Sequence, residues 1–236
     1  MGTRNIIMVF SNKQIKVAQY SQWDNYPSGQ GLTALKFLHD ADLNAFKEKV
    51  DNLHFVTDAE FEDYKNSAKE IDKISDYATR EMTFNKIHPS MSRDTGADIL
   101  NGILYGEISI NDFKKCDDVK VKVNIDYLHD STNFAADSLF CEWGWVIDLD
   151  KRTFEAYKGF VKRPLGKQQR FRFLQDANVH YVERRGKEQY YPIKRKKVFS
   201  LDALPTEDEF LESFMTKKDI AKYRKEKAEK AAKAQI

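Results

Sequence analysis

Ile6-Ile7-Met8-Val9-Phe10 and Ile15-Lys16-Val17-Ala18 are two apolar runs separated by Ser11-Asn12-Lys13-Gln14, and they lead directly into Gln19-Tyr20-Ser21-Gln22-Trp23-Asp24-Asn25-Tyr26-Pro27-Ser28-Gly29-Gln30-Gly31. Two strand-like runs around a short polar turn predict a β-hairpin at the start of the chain. The stretch that follows gathers amides, a carboxylate, hydroxyls and aromatic rings where a structural turn needs only chain breakers. Beyond Gly31, the positions Leu32, Leu35, Leu38, Leu43, Phe46, Val50 and Leu53 recur mostly at intervals of three or four, which predicts helix. The glycine-flanked segment therefore stands between a strand and a helix start. Backbone N–H groups at such a start can face an anion, so the segment reads as a ligand-facing wall.

Working outward, Thr57 and Glu60 form a capping-box pattern, and Phe61, Tyr64, Ala68, Ile71, Ile74, Ala78 and Met82 continue with helical spacing. His88-Pro89-Ser90-Met91 breaks the chain, and Ser92-Arg93-Asp94-Thr95-Gly96 opens a short helix through Leu104. In the second half, Val119, Val121, Val123 and Ile125 alternate with polar residues, the pattern of a strand with one wet face. Trp143 to Leu149 and Thr153 to Tyr157 read as a second hairpin. Phe171-Arg172-Phe173, Val179 to Glu183 and Tyr190 to Ile193 read as further strands, with Gly186 in a turn. Thr206 and Glu209 repeat the capping box before a final helix, and the Lys/Glu/Ala-rich end beyond Lys222 reads as a solvated or fraying tail.

Strands and helices are segregated more than alternated, which predicts an α+β fold. The expected architecture is an antiparallel sheet from the N-terminal hairpin and the strands of the second half, packed with helices. Residues 1–204 form a single α+β domain in this reading, and residues 205–236 a charged C-terminal helix and basic tail.

The chain has 236 residues, 41% apolar and 13% aromatic, enough for a sizeable core. No apolar run approaches the roughly 20 residues a membrane span needs. The N-terminus shows neither a signal-peptide pattern nor the full myristoylation pattern, and the chain reads as cytoplasmic. Two cysteines without CxxC spacing, Cys116 and Cys141, disfavour a disulfide scaffold and a structural zinc site. The net charge of +2 hides an asymmetry: residues 1–157 carry 18 Lys+Arg against 26 Asp+Glu, residues 158–197 carry 13 against 3. Such blocks either pair within the molecule or present a basic face.

Gly29-Gln30-Gly31-Leu32-Thr33-Ala34 formally matches the dinucleotide pattern G-x-G-x-x-G/A, but Asn25-Tyr26-Pro27 separates its first glycine from the strand and no βαβ unit follows. No cofactor is implied. The five histidines show no metal-ligand spacing, and neither G-x-S-x-G nor a P-loop occurs. Ser92 or Asp94 can cap the following helix, and Arg93 can clamp an anion with its planar fork. Asp137 and Glu142 lie in the apolar stretch from Phe134 to Trp143, where a carboxylate must find a partner or take a proton. Glu142 is a general acid or base in one reading and a structural partner of Arg4 or Arg93 in the other. Cys141 reads as a buried small hydrophobe before a nucleophile. Residues 158–197 interleave basic and aromatic side chains, which suits either single-stranded nucleic acid, through Arg170, Arg172, Arg184 and Arg185, or strands whose basic face packs on an acidic neighbour.

Four segments together resemble an uncharacterised family scattered through phage, bacterial and fungal genomes: Gly2-Thr3-Arg4-Asn5, Val17 to Gly31, Ser90 to Leu100 (SMSRDTGADIL) and Phe134 to Asp150 (FAADSLFCEWGWVIDLD). The family tends to carry a glycine where this chain has Asn5, and residues 158–236 show no likeness. A fainter likeness, in Gly2-Thr3-Arg4 and Gln22-Trp23-Asp24, is to N-terminal-nucleophile hydrolases of the bile-acid and penicillin amidase type. Gly2 stands where those enzymes carry the nucleophile, so such catalysis would need Thr3 at the terminus, or the scaffold would serve only for binding. The combined expectation is a pocket for a small anionic, nucleotide-like ligand, lined by Arg4, Gln22, Trp23, Asp24, Ser28, Gln30, Arg93, Asp94, Asp137 and Glu142. In a phage setting, sequestration of a defence signal would follow. The rivals are a hydrolase using Glu142 or Asp24 as acid/base in the same pocket and a nucleic-acid binder through residues 158–197.

Overall fold

The computed structural model describes residues 3–176 and 189–233. Its centre is a five-stranded sheet in the order β2-β1-β7-β8-β9, with β1 Asn5–Ser11, β2 Gln14–Ser21, β7 Trp143–Asp148, β8 Thr153–Lys158 and β9 Lys194–Ser200. The N-terminal hairpin is β1–β2, turned at Asn12 and Lys13, both at positive φ. The amides of Asn12 and Lys13 donate to the Asp150 carboxylate at 2.9 and 2.7 Å, which ties this turn to the turn of the β7–β8 hairpin. The fold is α+β and the sheet mostly antiparallel. One pair departs from expectation: β1 and β7 run parallel, with Ile7 opposite Trp145. A parallel pair needs a long crossover, and residues 12–142 supply it.

Alternation along the strands builds two cores. Ile7, Val9, Val17, Trp145, Ile147, Phe154 and Ala156 pack beneath helices α1 Leu32–Asp40, α2 Leu43–Asn52 and α5 Ile99–Tyr105. Ile6, Met8, Phe10, Val146 and Tyr157 face the other way, against Ala135, Leu165, Phe171 and Ile193. With both faces covered, all seven residues of β1 are buried. The continuous helix expected after Gly31 is broken at Ala41–Asp42, where Asp42 caps α2 through the amides of Asn44 and Ala45. Similarly, α3 Asp58–Asp72 and α4 Tyr77–Ile87 are separate, with Asp76 capping α4. The Thr57/Glu60 and Thr206/Glu209 capping boxes both form.

A hairpin of β4 Glu107–Asp112 and β5 Asp117–Lys122 lies outside the main sheet, and β3 His54–Phe55 pairs in parallel with β6 Tyr127–Leu128. At the C-terminus, α6 Glu207–Glu212 sinks Phe210 fully into the first core beside Trp145, Phe154 and Phe199. Helix α7 Lys217–Lys233 then folds back on it through Arg224 to Glu212 at 2.6 Å and Tyr223 to Asp208 at 2.9 Å. Residues 223–233 are thus helical, and Arg224 and Lys227 pair with Glu212 and Asp208 of α6.

Two strand readings are corrected. Phe171-Arg172-Phe173 lies in a short 3-10 turn, Arg170–Leu174, because Phe171 and Leu174 both turn into the second core. The strand near Tyr190 begins only at Lys194, and β9 runs along the sheet edge with its four cations exposed. The strand expected at Val179 to Glu183 and the turn at Gly186 lie outside the described residues. Among the described residues no helix is long and apolar enough to cross a membrane.

Candidate functional site

The chain from Gln22 to Gly31 is held from both sides. The Gln22 amide donates to the Arg93 carbonyl at 3.0 Å, and the buried Asn25 uses its backbone amide on the Thr3 hydroxyl and its side-chain amide on the Thr3 and Ser21 carbonyls. Asp24 takes a left-handed φ of 51°, a conformation aspartate tolerates, and this turns Trp23 and Asp24 outward together. Gly29, Gln30 and Gly31 then send their amides back into the segment: Gln30 to the Asp24 carbonyl at 2.8 Å, Gly29 and Gly31 to the Tyr26 carbonyl at 3.1 and 3.3 Å. The helix-start amides expected to face an anion are therefore consumed by the turn itself.

A second loop closes on the first. Ser92 does not cap a helix; its hydroxyl accepts the Asp94 amide at 3.0 Å and donates to Asn85 of α4 at 2.5 Å. Gly96, at φ +52°, passes so close to the Gln30 amide that a Cβ there would collide with it. That approach lets Gln30 Oε1 accept the Ala97 amide at 2.6 Å. Trp23 donates its indole N–H to Asp94 Oδ1, and the Arg93 guanidinium lies 5.9 Å from the Trp23 ring.

These contacts frame a cavity of about 730 Å³. Five expected residues line it: Trp23, Asp24, Gln30, Arg93 and Asp94. The remaining wall was not foreseen. It comes from Tyr77 and Asn85 of α4, from Asp98, and from Ser109, Asn111, Phe113 and Asp118 of the β4–β5 hairpin and its turn. Trp23, Tyr77 and Phe113 are 43, 51 and 43% exposed, and Tyr77 and Phe113 meet edge to face at 5.7 Å. Asp98 accepts the Asn101 side-chain amide at 2.6 Å and the Ser109 amide, yet burial still pushes its carboxyl above the usual range. A half-buried carboxyl with a raised pKa in a cleft is a recognised mark of a functional position. It stands within SMSRDTGADIL, four residues beyond Asp94.

The other expected residues sit elsewhere. Ser28 is exposed on the wide turn, and Gln22 enters through its backbone. Arg4 lies over the Phe140 ring at 4.9 Å and bears on the Tyr20 hydroxyl. Asp137 and Glu142 flank Cys141, whose buried thiol is pushed well up, first by burial and then by those two carboxylates. Neither lines the cavity, whereas Asp24, the other acid/base candidate, does. Cys141 is fully buried and donates to the Trp143 carbonyl, as a structural cysteine would.

The basic block is spent internally at its best-defined position. Arg170, with a side chain 11% exposed, reaches Asp148 at 2.6 Å and Glu155 at 2.8 Å and stacks on Phe10 at 4.2 Å. Its guanidinium is committed to these two carboxylates. Arg172 donates to the Leu165 carbonyl, and Arg184 and Arg185 lie outside the described residues. Among the described residues no cluster of three His, Cys, Asp or Glu side chains could hold a metal. Comparison with family models, curated proteins and solved structures finds no match.

Proposed function

We propose that the protein binds a small organic molecule in the cavity framed by Trp23, Arg93 and Asp98, and that the group lodged there is a flat ring bearing hydrogen-bond donors. The observation that carries this reading is the meeting of three exposed rings, Trp23, Tyr77 and Phe113, with four carboxylates, Asp24, Asp94, Asp98 and Asp118, around one cavity. Exposed rings offer stacking surface, and carboxylates accept from hydroxyl and amino groups. A single guanidinium against four carboxylates does not suit a polyanion. The base and sugar of a nucleotide-like ligand match the cavity better than its phosphates do. Binding without turnover would suit a protein that sequesters a signal, the role expected of it in a phage setting.

Calorimetry with the four common nucleosides and with cyclic dinucleotides tests the reading, with liquid chromatography of the mixture after each titration. Saturable binding that weakens at least about tenfold in Trp23→Ala, with probe recovered intact, supports a binder. Recovery of a cleaved product would move the assignment to a hydrolase, and affinity unchanged by Trp23→Ala would remove the cavity from it.

A further inference from the structure

Arg93 stands on the wall between two cavities. The larger carries the four carboxylates; the smaller, about 370 Å³, has none in its lining among the described residues. Its walls include Tyr20, Ser92, Arg93, His129, Ser131 and Asn133. Gln19 fixes one side, donating from Nε2 to the Ser92 carbonyl at 2.9 Å. Tyr20 is packed edge to face on Phe134 at 4.9 Å, so its hydroxyl is held in place. Burial raises the Tyr20 phenol, while the charges of Arg4 and Arg93 and a hydrogen bond with Arg4 act to lower it. His129 adds a buried ring nitrogen, Nδ1, without a hydrogen-bond partner among the described residues.

Asp94 lies 3.6 Å from Nε of Arg93, and an oxyanion on the other side of the fork would be attracted by the same guanidinium while accepting from the hydroxyl and amide donors of the smaller cavity. We propose that the smaller cavity is a subsite for one phosphate group, gripped by the Arg93 fork with Tyr20, Ser131 and His129 around it. Charge is thus divided across Arg93: donor-bearing groups on the carboxylate side, a phosphate on the basic side. The phosphate subsite stands on its own geometry; its joining to a ring in the larger cavity rests on the function proposed above.

The test is thermal denaturation of the full chain in inorganic phosphate against chloride at equal ionic strength, with acetate as a second anion. Phosphate stabilises proteins generally, so the readout is the part that depends on Arg93. We expect a saturable rise in Tm whose apparent Kd weakens about tenfold in Arg93→Ala and less in Arg93→Lys. Arg93 is half exposed, so neither variant threatens folding. An equal response in wild type and Arg93→Ala overturns the subsite, as does a response to acetate matching that to phosphate. Adenosine and adenosine 5′-monophosphate separate the two claims: equal affinity overturns the subsite and leaves the ring cavity standing. An Arg93-dependent phosphate response with no nucleoside binding supports the subsite and removes the ring assignment.

Discussion

The indole N–H of Trp23 donates to Oδ1 of Asp94 over 2.7 Å, joining two segments 71 residues apart in sequence. The same carboxylate lies 3.6 Å from the Arg93 guanidinium, so one acidic side chain orients both the ring and the fork. Asp94→Ala should cost about 1 kcal/mol of stability, the usual net worth of such a bond at a partly exposed position. Denaturant melts check the stability. The functional cost should be larger, because Trp23 and Arg93 lose their shared anchor, and calorimetry with a nucleoside probe would show it.

Arg170 supplies the strongest stability prediction. Burial alone would push the carboxyls of Asp148 and Glu155 up, but the guanidinium between them more than offsets this and both sit below the usual carboxylate range. A depressed carboxyl contributes stability that is present above its unfolded value and lost as pH falls through the folded one. Acid unfolding should therefore begin below about pH 4. Arg170→Met takes the nearest cation from two buried carboxylates, leaving Lys151 at 3.7 Å from Asp148 and Arg195 at 3.8 Å from Glu155, and should cost about 3 kcal/mol at neutral pH. Equilibrium melts from pH 7 to pH 3 should show the gap between variant and wild type closing with acid.

Asp98 has the opposite sign. Its carboxyl is raised in the fold by burial, so its contribution is most favourable at low pH and declines as pH rises through the folded value. Asp98→Asn keeps an acceptor for the Ser109 amide and removes the charge. It should melt higher than wild type at pH 7, with the gain shrinking toward pH 4, and should bind nucleosides more weakly. A variant less stable than wild type at pH 7 would show that the hydrogen bonds outweigh the burial of charge.

Gly96 tests the meeting of the two loops. An alanine there is strained at φ +52° by about 1–2 kcal/mol and also pushes Gln30 off the Ala97 amide. The variant should lose nucleoside binding out of proportion to its loss of stability, as read by calorimetry well below its Tm.

What was legible in the chain followed locality. The Thr57/Glu60 and Thr206/Glu209 caps are written in four consecutive residues each, and both form. The hairpins β1–β2 and β7–β8 are close enough in sequence for alternation and turn residues to declare them. Their parallel junction through Ile7 and Trp145 is not, since no short-range pattern names a partner 138 residues away. β9 was hidden because Lys194-Arg195-Lys196-Lys197 reads as charge first and strand second, which an exposed edge strand permits. The site divides in the same way. Trp23, Asp24, Gln30, Arg93 and Asp94 come from two short segments dense in polar and aromatic side chains. Tyr77, Phe113 and Asp118 come from a helix end and a hairpin whose meeting is tertiary, and nothing in their neighbours marks them.

The most direct measurement is the ¹H–¹⁵N spectrum of the three indole N–H groups during titration with adenosine 5′-monophosphate and its three common counterparts. Trp143 and Trp145 are buried in the first core, whereas Trp23 lines the cavity. Binding in that cavity predicts a saturable shift of the Trp23 indole signal with at least one of the four, abolished in Asp98→Ala, while the other two indoles hold still. A Trp23 signal that none of the four moves would contradict it.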